Sequence, residues 1–157
     1  MNPMLCLYPE QFDTHNIIIN KKIKNNIIED SYFYRLIYSD DLFSSNGLFV
    51  LFTFTNIKIE HYYNKIKCNF EDNHKNNKNI EIIKNIENDI LNKLHNVEHK
   101  ILSTKLKDQL NNYNIKLFED KNTPIKNFNS INIILKISGI WSTSSEIGVT
   151  FKFYIYN

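Results

Sequence analysis

Arginine is almost missing from this sequence: Arg35 is the only one among 19 basic residues. Glycine and proline are scarce as well, with three of each. So few glycines exclude a phosphate-cradling loop, and neither G-x-x-x-x-G-K-[ST] nor G-x-G-x-x-G occurs. The G-x-S-x-G elbow of serine hydrolases is also missing. Turns must therefore be made mostly by Asn, Asp and Ser. Cys6 and Cys68 are the only cysteines. They form no C-x-x-C and no disulfide framework, which points to a reducing, intracellular compartment. There is no N-x-[ST] sequon and no basic segment leading into an apolar leader, so nothing directs the chain to secretion. The longest strongly apolar run, Gly47 to Phe54, falls far short of the ~20 residues a membrane helix needs, so no membrane segment is expected. A net charge of +2 permits a polyanionic partner without demanding one, since duplex-DNA binders carry a stronger basic excess.

What is present suits a single domain over residues 1–157. A chain this long buries roughly 70% of the surface it exposes when unfolded, enough for a core without staples. Hydrophobic residues at 42% place it among globular proteins. The 25 Asn and 25 Ile, with lysine in place of arginine, match the bias of an AT-rich genome. Lysine abundance is thus a weak argument for nucleic-acid binding.

Residues 1–16 read as an irregular lead-in. Strands are predicted at Ile17–Ile19, Tyr32–Tyr38, Leu48–Ile59 and His61–Phe70, with Asp40-Asp41 and Asn46-Gly47 as turns. Residues 71–79 read as a polar surface loop. The main helix follows, with Asn79 as N-cap and Ile83, Ile86, Ile90, Leu91 and Leu94 on its apolar face. A short second helix is predicted from Ser103 or Thr104 to Asn112, then a strand at Ile115–Phe118 and a polar loop over 119–129. Two alternating strands close the chain as a hairpin. Strict alternation puts Ile131, Ile133, Leu135, Ile137, Gly139 and Trp141 on one face of the first. In the second, Val149, Phe151, Phe153 and Ile155 oppose Thr150, Lys152, Tyr154 and Tyr156. The expected class is α+β, mainly β: an OB-like partly open antiparallel barrel or sandwich, with one main helix and a short second one.

Catalytic patterns are sparse. His95-Asn96-Val97-Glu98-His99 fits H-x-x-E-H, in which two histidines four apart could share a zinc with Glu98 as base. A polar helix end explains the same residues, and no third ligand is evident. Cys68 and His74 lack partners at metal-ligand spacing. The expectation is no catalytic residue, no cofactor and no metal. The remaining signal is aromatic and basic residues interleaved on strands. Lys22, Lys24, Arg35, Tyr62, Lys65, Lys67, Lys136, Lys152, Tyr154 and Tyr156 are the candidate nucleic-acid-binding residues: rings stack on bases and cations track phosphates. Core packing of the rings is the competing explanation, and Trp141 is expected to be structural.

The segment Ile137-Ser138-Gly139-Ile140-Trp141, followed by Glu146-Ile147-Gly148-Val149-Thr150-Phe151-Lys152-Phe153, resembles the closing hairpin of small OB-fold single-stranded DNA-binding proteins of large nucleo-cytoplasmic DNA viruses. Tyr34–Tyr38 and Ser45-Asn46-Gly47 look like the same grouping. The resemblance implies a non-catalytic viral protein in the host cytoplasm or nucleus, with single-stranded DNA or RNA as partner. The alternative is a virion or assembly component that binds other viral proteins through its aromatic strands.

Overall fold

The computed structural model describes residues 5–63, 65–117 and 127–156, and for Tyr62 the backbone only. In chain order the strands and helices are β1 (Ile17–Ile19), β2 (Ile23–Lys24), β3 (Tyr32–Ser39), β4 (Ser44–Asn46), β5 (Leu48–Tyr62), β6 (Lys65–Phe70), α1 (His74–Glu98), β7 (Ile101–Ser103), α2 (Lys105–Asn111), β8 (Asn114–Leu117), β9 (Asn127–Ser142) and β10 (Glu146–Tyr156). The chain is α+β and mainly β, with one main helix and one short one, as the sequence predicts. The sheet stays open and does not close into a barrel. Among the described residues no helix is long and apolar enough to cross a membrane.

The sheet is organised around β9. Along one side it pairs antiparallel with β10, from Asn132↔Tyr156 to Ser142↔Ile147. Along the other side it pairs first with β5, up to Ile137↔Leu48, and then with β3, from Gly139↔Arg35 to Ser142↔Tyr32. Gly47 stands where β5 gives way to β3. Its φ is +97°, and a Cβ there would come within 3.0 Å of the Ile137 carbonyl oxygen, so the junction needs a residue without a side chain. The sheet continues beyond β5 through β6 to β8, and beyond β3 through β1, β2 and β4. Short β7 runs parallel to the start of β10.

One face of the sheet carries the core. Leu36, Tyr38, Phe52, Phe54, Ile133, Leu135, Ile137 and Phe153 are buried there against Ile83, Ile86, Ile90 and Leu94 of α1. The periodicity of the isoleucines therefore gives the helix face correctly. The start of α1 is a correction, because it begins at His74 inside the expected 71–79 loop, and the N-cap is Asn73, not Asn79. Asparagines there bond tertiary backbone that local propensity does not anticipate. The Asn73 carboxamide accepts from the Asn76 N–H, and the buried Asn76 side chain bridges Thr55 and Glu71. Asn79 donates to the Thr53 carbonyl.

Other boundaries move less. The 1–16 lead-in holds two short 3-10 turns, and Leu7 forms a parallel bridge to Val50. The predicted strand at His61 is the end of β5, and β6 starts at Lys65 after a left-handed turn residue, Tyr63. Residues 127–129 of the expected 119–129 loop already belong to β9, and its remainder lies outside the described residues.

A bulge breaks the alternation of β9. Thr150 faces Gly139 but the next residue, Phe151, faces Ile137, so Ser138 has no partner in β10. An extra residue in one strand reverses which face its later side chains take. Beyond the bulge Ile140 and Ser142 point to the core, and Trp141 points away from it. This overturns the single-face set ending in Gly139 and Trp141, which strict alternation required.

Candidate nucleic-acid interface

On the sheet face turned away from the helices, register partners line up in rows across the strands. The first row is Gly148, Trp141, Phe33 and Ile23, from β10, β9, β3 and β2. The next is Thr150, Gly139 and Arg35. Then follow Lys152, Lys136 and Phe49, then Tyr154, Ile134 and Leu51, then Tyr156, Asn132 and Thr53, from β10, β9 and β5. The bulge makes this stripe continuous, because it brings Trp141 onto the face of Lys136 and Lys152.

Two glycines keep the upper rows flat. A Cβ on Gly148 would sit 2.4 Å from Cζ2 of the Trp141 indole. A Cβ on Gly139 would sit 2.2 Å from the Tyr34 carbonyl oxygen and 2.6 Å from Cζ of Phe33. The rings thus rest directly on neighbouring backbone.

Arg35, Lys136 and Lys152 fall in successive rows, and none of the residues that form the five rows is acidic. Lys136 and Lys152 are direct cross-strand partners, a placement that like charges disfavour. The Lys136 ammonium lies 5.6 Å from the Phe49 ring centre, a cation–π contact that holds it over the sheet. Arg35, Lys152 and Tyr156 are exposed, and Lys136, Tyr154 and Trp141 half-buried.

The sequence-predicted residues therefore divide into three groups. Arg35, Lys136, Lys152, Tyr154 and Tyr156 come together on the stripe. Lys24 lines a groove at its upper end, while Lys22 lies 4.5 Å from the Tyr32 ring centre, on the side of Glu98. Tyr62, Lys65 and Lys67 sit apart on the β5–β6–β8 arm, beyond the left-handed residue Asn56, with Lys67 paired to Glu60 and Lys116. Sequence reasoning missed Phe33, Phe49 and Trp141. A glycine inside the strand, at Gly139, was the available sign of a bulge.

The H-x-x-E-H residues do something else. The Tyr34 hydroxyl donates to Glu98 Oε1, and the Lys100 ammonium stands 3.1 Å from Glu98 Oε2 while donating to Ser142 Oγ at 2.8 Å. His95 Nδ1 lies 3.1 Å from the Lys100 carbonyl oxygen, and His99 turns off the helix with φ 51°. The Tyr34 hydrogen bond, helped by the Lys100 charge, holds the Glu98 carboxyl below its usual range. Burial, reinforced by Glu98, raises the Tyr34 phenol above its own. These groups tie the end of α1 to β3 and β9. Among the described residues no three His, Cys, Asp or Glu side chains gather as metal ligands. Cys68 is a core residue whose thiol burial pushes up to about 12.

Compared with known proteins, the chain matches no family model, no curated protein and no solved structure.

Proposed function

We propose that this protein is a non-catalytic, intracellular binder of single-stranded nucleic acid, DNA or RNA, and that the stripe on β10, β9, β5 and β3 is its interface. The observation that carries this reading is the register: it gathers Trp141, Phe33, Arg35, Lys136, Lys152, Tyr154 and Tyr156 on one sheet face with no acid among the row positions. From Trp141 to Asn132 the stripe runs roughly 30 Å at the ~3.3 Å rise of a strand residue, room for several nucleotides. Aromatic faces accept any base, at about 1–3 kcal/mol each, and the cations follow the phosphates between them. The resemblance to viral single-strand binders agrees with this placement.

The test is binding of oligo-dT at two salt concentrations by the wild type and by Lys136→Ala/Lys152→Ala. The variant should bind more weakly and with a flatter salt dependence, by about 0.7 in log–log slope for each phosphate that is no longer neutralised. No wild-type binding at low salt overturns the reading.

One observation favours a second reading, a viral structural or assembly protein that meets other proteins. Ile23, Ile27 and Ile28 beside the stripe are 54%, 92% and 53% exposed, an apolar rim more usual at protein interfaces. That reading takes first place if oligonucleotides do not bind.

A further inference from the structure

The upper end of the stripe opens into a groove of about 840 Å³. Trp141, Phe33 and Ile23 of the first row line it, together with Ile27 and Ile28 from the segment that follows β2. We propose that this groove takes an unstacked nucleobase of the bound strand against the Trp141 indole, an inference that rests on the single-strand reading above. Three observations support a base as the occupant. First, the groove is continuous with the basic stripe, since Trp141 and Phe33 form the row next to Gly139 and Arg35. A strand lying along Lys136 and Arg35 is thus led to it. Second, Lys24 and Lys105 line it with one acid, Glu146, and the Lys105 ammonium lies over the Trp141 ring, 5.5 Å from its centre, a place that an entering base would take from it. Apolar walls with two cations against one acid match a flat aromatic base attached to phosphates. Third, the Trp141 ring is laid flat by Gly148, whose missing side chain is the condition for that orientation. A ring already held in place loses less freedom when a base stacks on it. Thr150 places a hydroxyl-bearing side chain on the groove wall for the polar edge of a base, while the Thr143 hydroxyl is held by the backbone of Ser145 and Glu146.

Trp141 is the single tryptophan of the chain, so its emission reports on this groove alone. The experiment titrates the protein with unlabelled oligo-dT while following Trp141 fluorescence, and in parallel follows the anisotropy of an end-labelled oligo-dT. Quenching of Trp141 should share its half-saturation with the anisotropy change. Trp141→Ala should lower affinity about five- to a hundredfold with an unchanged salt slope, because the variant gives up stacking and keeps every phosphate partner. Ile27→Glu places a negative charge on the wall at a 92% exposed position that the fold does not need. It should weaken binding even if Trp141→Ala fails to fold. If anisotropy shows salt-dependent binding while Trp141 emission stays unchanged and Ile27→Glu binds like wild type, the groove inference is overturned and the stripe stands. No anisotropy change at all overturns both. Emission that shifts with protein concentration in the absence of oligonucleotide assigns the groove to a second copy of the chain and overturns the nucleobase.

Discussion

Ile90 has no exposed surface and sits where α1 meets the sheet. Truncating it to alanine should cost about 2–5 kcal/mol, the usual range for a buried large aliphatic that leaves a cavity. Urea denaturation measures this, and a loss below about half a kcal/mol would mean that the helix does not pack there. Residues of this kind were readable in the sequence, because burial follows from apolar side chains recurring at helical spacing. Individual aromatics were not. Tyr34, Tyr38, Tyr154 and Tyr156 are the same residue type in the same alternating context. Two face the core and two the outer stripe, a difference set by strand partners far away in sequence. Trp141 shows the limit most clearly: one unpaired residue, Ser138, decides its side of the sheet.

At the scale of elements, the join between α1 and α2 depends on Glu87. Its buried carboxylate accepts from the backbone N–H groups of Leu106 and Lys107, at 3.0 and 3.1 Å. It thereby caps the start of α2, where the Thr104 side chain makes no cap bond. Glu87→Ala leaves both donors without their acceptor and should cost about 1–3 kcal/mol in chemical denaturation. Glu87→Gln keeps an acceptor oxygen and should cost less. A wild-type-like midpoint for the alanine variant would show that α2 is capped by other means. The lengths and types of the elements were largely legible, including the short second helix and the closing hairpin. The start of α1 was not, since Asn is a poor helix former and the first turns are held by the Asn73 cap and by the bonds of Asn76 and Asn79 to β5. For the same reason the candidate site was legible as a set of residue types but not as a surface. Lys65 and Lys67 belong to a strand pair that the sequence could not separate from the stripe.

For the whole molecule, Glu98 and Glu87 contribute to acid stability in opposite directions. Glu98 is held below its usual range, so its ionised form favours folding. That contribution is present above its unfolded pKa of about 4.3 and is lost as pH falls through the lower folded value. Burial raises Glu87, against the lowering pull of its backbone bonds, so ionising it opposes folding. Its share of stability is largest at low pH and declines as pH rises from the unfolded pKa through the folded one. Urea midpoints followed from neutral pH into acid should therefore fall less steeply for Glu98→Gln than for wild type. An unchanged acid limb would show that the Glu98 cluster does not couple protonation to folding. The position of β9 in the chain has a further consequence, for assembly in time. Its partners in β3 and β5 lie some 70 to 110 residues earlier, and neither strand can be paired on its β9 side until residues 127–142 have left the ribosome. Until then Leu48 to Phe54 is an apolar, unprotected edge, the kind of segment that recruits chaperones or aggregates. Non-local pairing of this sort makes folding slow, and the nascent chain must be shielded through most of its synthesis.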